Sequence, residues 1–182
     1  MAKKEIFDNK IAGPLMRGMH HISVDRSAGS ASFVAAMRAL RAGEIVGIFP
    51  EATISKSFEI KELKSGAVRL AIGAGVPIIP TIVWGSQRII TKGAPKNFKR
   101  AGIPVTVRIG NPLYFTRESN VEEAEVLLKA KLVEMLHQVQ SQYPDSHQGK
   151  RWAPARLGGT APTLEEAQQA QDEKNQTGPK PA

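Results

Sequence analysis

Hydrophobic positions along this chain fall in short blocks whose period switches between two and about 3.6. Ile22-Ser23-Val24 reads as a short strand ending at Asp25-Arg26. The stretch "SAGSASFVAAMRALRAG" then predicts a helix, with serines for its N-cap, Phe33, Met37 and Leu40 on one face and Gly43 as its stop. "EIVGIF", ending at Phe49, is a compact apolar strand, and "KSGAVRLAIGAG" is a second helix, capped by Ser65 and ended by Gly75. "VPIIPTIVW" is the next strand, where Pro80 implies an edge or an irregularity. "IPVTVRIG" alternates with period two, and Val121 to Tyr143 reads as a long amphipathic helix with Val126, Leu127, Val133 and Leu136 among its apolar positions.

Strands alternating with helices predict an α/β layered fold with a central, mostly parallel sheet flanked by helices. In such sheets chemistry gathers at the carboxyl ends of strands, and both Asp25-Arg26 and Pro50-Glu51 stand at such ends. Residues 1–146 are expected to form one domain. Beyond it, "RWAPARLGGTAPTLEEAQQAQDEKNQTGPKPA" is rich in Pro, Gly, Gln and Ala and poor in large apolar residues. Residues 147–182 are therefore expected to be a disordered tail, in which Trp152 and Leu157 are candidates for local packing.

Composition narrows the chemistry. The 182 residues contain no cysteine, which excludes disulfides, thiolate zinc sites and a cysteine nucleophile. The first ten residues are charged throughout and show no apolar core of a signal peptide, and no run approaches the roughly 20 apolar residues of a membrane span. A cytoplasmic protein is the expectation, free to lie on a membrane surface. The net charge of +8 points to an anionic partner. Between Thr81 and Arg117 stand seven basic residues (Arg88, Lys92, Lys96, Lys99, Arg100, Arg108 and Arg117) and no acid. The aromatic residues there form no stacking motif of an RNA-binding sheet, so nucleic acid is not expected and an anionic membrane surface is.

The richest stretch chemically is "VGIFPEATISKSFEIKELKSG", where a carboxylate, Glu51, closes an apolar run and is followed by hydroxyls and by Lys56, Lys61 and Lys64. This region resembles the core of the glycerolphosphate acyltransferase family, which includes the lysophosphatidic acid acyltransferases. The family carries F-P-E-G-T-R-S, then F-K-x-G-A, then V-P-I-x-P. This chain has Phe49-Pro50-Glu51-Ala52-Thr53-Ile54-Ser55, then Leu63-Lys64-Ser65-Gly66-Ala67, then Val76-Pro77-Ile78-Ile79-Pro80. Upstream, "AKKEIFDNKIAGPLMRGMHHISVDR" is similar to the family's K-x-E-L-F … I-x-V-D-R, with Arg26 at its substrate-binding arginine.

The resemblance implies transfer of a fatty acyl group from acyl-CoA or acyl-carrier protein, as co-substrate, to a lysophosphatidic-acid-like acceptor, with no cofactor and no metal. It implies work at the cytoplasmic face of the membrane, with Arg26, Glu51, Thr53, Ser55 and Lys64 at the acceptor's phosphate. Two departures stand out. The family's catalytic N-H-x-S-x-x-D, normally upstream of K-x-E-L-F, does not occur in these 182 residues, so no catalytic residue is assigned and the chain is expected to be shortened. Ala52 and Ile54 replace the family's Gly and Arg. Ala52 implies a turn without positive φ, and Ile54 removes a guanidinium that the neighbouring lysines would replace as point charges.

His20 and Asp25 copy the H-x4-D spacing, but in an extended segment residues five apart point to opposite faces and stand about 16 Å apart. His21 and Asp25 share a face and are still about 13 Å apart. His137 and His147 are expected at the surface and in the tail. The competing class is a non-catalytic basic module binding anionic lipid. The oligomeric state is not legible.

Overall fold

The computed structural model describes residues 1–25, 29–51, 53–91, 96–98 and 102–177. The chain divides into two compact units, one of Met1–Pro50, Lys64–Ile78 and Pro112–Glu125, the other of Glu51–Leu63, Ile79–Asn111 and Val126–Ala182.

In the first unit, strand β1 (Ala2–Lys3) is followed by helices α1 (Lys4–Phe7) and α2 (Ala12–Gly18), and β1 pairs in parallel with β2 (Ser23–Val24). Helix α3 (Gly29–Arg41) and helix α4 (Gly66–Ala74) pack together around Ala36, Ala67, Val68, Leu70 and Ala71, all buried. Gly73 makes the contact close, since a Cβ there would stand 2.8 Å from the Met37 methyl. Gly75 ends α4 as expected, in the left-handed conformation with φ +70°. Ser65 precedes the helix without making a side-chain cap bond.

Glu44–Phe49 departs from expectation. No strand pairs with it among the described residues; Ile45 is 99% and Phe49 87% exposed. Its composition favours a strand, yet a strand needs a neighbour to bond. Here the Met1 ammonium donates to the Gly47 carbonyl at 2.8 Å instead.

The second unit is built on β3 (Thr81–Trp84), antiparallel to β4 (Thr106–Ile109) with Ile82 opposite Arg108 and Trp84 opposite Thr106. The expected central, mostly parallel sheet is therefore not formed among the described residues, which hold one parallel and one antiparallel pair. Helix α5 (Val121–Ser141) buries Leu128, Leu132, Met135, Leu136 and Val139 at spacings of three and four. Val126 and Leu127, expected on that face, are 68% and 51% exposed, because the stripe runs through Leu128 and leaves them behind. Gly85 is needed after β3. Its φ is +101°, and a Cβ would stand 2.1 Å from the Pro104 carbonyl oxygen, which also accepts the Tyr143 hydroxyl at 2.7 Å.

The segment expected as a tail is described through residue 177. Ala153, Pro154, Ala161 and Ala167 are buried, and helix α6 covers Leu164–Thr177. The segment's own rings, His147 and Trp152, pack on Tyr143. Trp152 sits 5.8 Å from Tyr143 and 5.4 Å from His147, centroid to centroid, and Arg88 stacks on it at 4.5 Å. The Arg88 side chain is only 7% exposed and donates to Asp145 and, at 2.9 Å, to the Tyr143 hydroxyl. Burial opposes its charge, but these bonds outweigh it and hold the guanidinium's pKa up. One of the seven cations counted between Thr81 and Arg117 is thus a structural clamp rather than part of a free basic face.

Candidate functional site: the Glu51 loop

Between Glu51 and Leu63 the chain folds back on itself through its own polar groups. Glu51 Oε2 accepts the backbone N–H of Lys61 at 3.0 Å, and Lys61 Nζ donates to the Thr53 hydroxyl at 2.9 Å. The Thr53 N–H closes a tight turn on the Glu51 carbonyl at 2.7 Å. Deeper in the loop the Ser55 hydroxyl donates to the Glu59 carbonyl at 2.8 Å and lies 3.0 Å from Oγ of Ser57, which is 1% exposed. This net holds Phe58 in a left-handed conformation, φ +57°, which non-glycine residues rarely adopt.

A second layer braces the loop. The Glu59 carboxylate, only 14% exposed, accepts from Arg156 Nε at 2.8 Å and faces His137 Nε2 at 3.7 Å, while Arg156 also bonds Gln140. Lys129 pairs with Glu62. Arg156 belongs to the segment whose ordering the composition hid, so the brace could not be read from the sequence.

Of the expected site residues, Glu51, Thr53 and Ser55 meet in this loop, although Ser55 spends its proton on the loop itself. Lys64 is exposed in the first unit, where its backbone N–H donates to the Pro50 carbonyl at 2.8 Å. Arg26 and Ala52 lie outside the described residues. Lys61 was singled out only as one of three nearby cations, yet it alone of them bonds both the carboxylate and the hydroxyl. In the first unit, the Asp25 carboxylate holds Lys4 Nζ at 3.1 Å, and His20 has φ +55°.

Burial pushes the Glu51 carboxyl above its ordinary pKa, against the bond from the Lys61 N–H and the charge of Lys61. A carboxyl raised on folding costs stability once ionised, and the cost grows as pH rises from its unfolded value through its folded one. Glu51→Gln keeps an acceptor for the Lys61 N–H and removes that charge. Its urea midpoint is expected to match or exceed the wild type's at pH 7.5, with the advantage fading toward pH 4. A clear loss of stability at pH 7.5 would show that the ionised carboxylate holds the loop.

The family model described as "Acyltransferase" matches residues 1–84, from β1 through the Glu51 loop to the end of β3. Through this stretch the chain is similar to acyltransferases. It is 34% identical to a 1-acyl-sn-glycerol-3-phosphate acyltransferase of Bacillus subtilis over 76% of its own length and 64% of the relative's. With the enzyme of that name from Limnanthes douglasii it shares 30% identity over 76% of its length and 48% of the relative's. The chain thus spans about half to two thirds of the length of these relatives. The fold is similar to that of the 1-acyl-sn-glycerophosphate (LPA) acyltransferase PlsC from Thermotoga maritima. The two superpose with a TM-score of 0.64 at 21% identity, over 79% of this chain and 57% of that one.

Proposed function

We propose that this chain carries the acceptor-binding part of an acyltransferase of phospholipid biosynthesis. The reaction moves a fatty acyl group from acyl-CoA or acyl-carrier protein to the free hydroxyl of a lysophosphatidic-acid-like acceptor. A histidine removes the hydroxyl proton, the alkoxide oxygen attacks the thioester carbonyl, and the thiolate leaves with the histidine's proton. The observation that carries this reading is the Glu51 loop, where a half-buried carboxylate, a threonine hydroxyl and an ammonium are bonded into one array at the family's F-P-E-G-T position. The family resemblance implies Arg26 and Lys64 as further acceptor-binding residues, and Ser55 supports the loop from within.

Calorimetric titration with hexanoyl acceptors tests it. The 182-residue chain should bind hexanoyl lysophosphatidic acid about tenfold or more tighter than hexanoyl glycerol, because charge-assisted bonds to a phosphate are roughly twice as strong as neutral ones. Equal affinities would remove the phosphate from the account.

The same reading places the protein peripherally at the cytoplasmic face of a membrane. No helix among the described residues is long and apolar enough to cross one. Contact with the surface is supported by the α2 segment, where Ile11, Leu15 and Met19 recur every four residues and are 86%, 58% and 48% exposed beside Lys10 and Arg17. Sedimentation with anionic vesicles should show reversible binding that weakens in high salt. Leu15→Glu should reduce it about tenfold or more, since burying one leucine contributes about 1.5–3 kcal/mol. Unchanged binding by that variant would move the contact elsewhere.

A further inference from the structure

Ile54 leaves the loop without the guanidinium that the family's arginine supplies, so a phosphate received here needs a cation from another position. Lys56, Lys61 and Lys64 are the nearest in sequence. Lys64 is exposed in the first unit, and the Lys56 side chain makes no hydrogen bond or ion pair among the described residues. Lys61 differs from both. Its backbone N–H is fixed on Glu51 Oε2 at 3.0 Å and its ammonium on the Thr53 hydroxyl at 2.9 Å.

We propose that Lys61 replaces the missing arginine: its ammonium binds the acceptor's phosphate and, through Thr53 and Glu51, sets the shape of the loop that receives it. The assignment rests on the reading of the loop as an acceptor-phosphate site and names the cation of that site. Three physical points support it. An ammonium has three N–H donors, and the Thr53 hydroxyl takes one, leaving two for phosphate oxygens. Glu51 bonds the backbone of Lys61 rather than its ammonium, so the positive charge is not consumed by an ion pair. A lysine tied at both backbone and head also has less rotamer freedom to lose on binding than a free surface lysine.

The test is calorimetric titration of the full 182-residue chain with hexanoyl lysophosphatidic acid, with inorganic phosphate and hexanoyl glycerol as separate arms. Lys61→Met should weaken binding of the lysophosphatidic acid about tenfold or more, and binding of hexanoyl glycerol not at all. Lys131→Met, which removes a charge from α5, should change neither by more than about twofold. Lys61→Arg should keep most of the affinity, and adding Ile54→Arg to Lys61→Met should restore much of it, which repair of folding alone would not do. Weaker binding of inorganic phosphate by Lys61→Met would place the contact on the phosphate itself rather than on the glycerol. An unchanged urea midpoint in Lys61→Met shows that the loss is not unfolding, and the Lys61→Arg arm carries the test if that midpoint falls. Binding by Lys61→Met within about twofold of wild type, or no recovery with Ile54→Arg, would overturn the assignment. A wild-type chain with no preference for the phosphorylated acceptor would fail differently, by ending the phosphate reading of the loop itself.

Discussion

The 182 residues on their own are expected to transfer no acyl group from acyl-CoA to lysophosphatidic acid above background, measured as thiol release. The same residues placed behind a segment carrying N-H-x-S-x-x-D are expected to turn over. A general base contributes about 10²–10⁴-fold to such a reaction, and the histidines present are poorly placed to supply it. Asp25, the partner that His20 or His21 would need, holds Lys4 instead, and His20 sits in a left-handed turn. His137 faces Glu59 in the brace behind the loop, and His147 is packed among Trp84, Tyr143 and Trp152. Burial, and then the charge of Arg156, lower the His147 pKa, which weakens the ring as a base. Robust turnover by the 182 residues, abolished by His20→Ala, would contradict this account.

Deleting residues 147–182 should be strongly destabilising. The deletion exposes the rings of Tyr143 and Trp84, leaves Arg88 without Trp152 and removes Arg156 from Glu59. Losing the burial of Trp152, Ala153, Pro154, Ala161 and Ala167 costs about 5 kcal/mol. In a chain of this size that lowers the melting temperature by about 10–20 °C. The single change Arg156→Ala should cost less, acting on Glu59 of the loop and on Gln140 of α5. A deletion variant melting within a few degrees of the full chain would mean that the segment folds by itself and braces nothing.

Helices α3 and α4 were legible because apolar spacing and a terminal glycine, Gly43 or Gly75, agree with each other. Helix α5 was legible in extent but not in its exact face, since Val126, Leu127 and Leu128 are equally apolar and only packing selects Leu128. Glu44–Phe49 has the composition of a strand, but pairing is a property of two segments and cannot be read from one. Residues 147–177 look unstructured because small side chains bury little by themselves. Two of them, His147 and Trp152, pack on the ring of Tyr143. At the site, motif spacing led to Glu51, Thr53 and Ser55, whereas the role of Lys61 depends on a fold-back ten residues long that no local pattern encodes.

The phosphate's place is tested most directly by an amide nuclear magnetic resonance titration of the 182-residue chain with hexanoyl lysophosphatidic acid, using hexanoyl glycerol as reference. Shifts specific to the phosphorylated acceptor should be largest at Glu51, Thr53 and Lys61, because the carboxylate, hydroxyl and ammonium are bonded into one array. Shifts that leave the loop untouched and fall instead around Arg88, Lys150 and Trp152, which line a cleft of their own, would contradict the account.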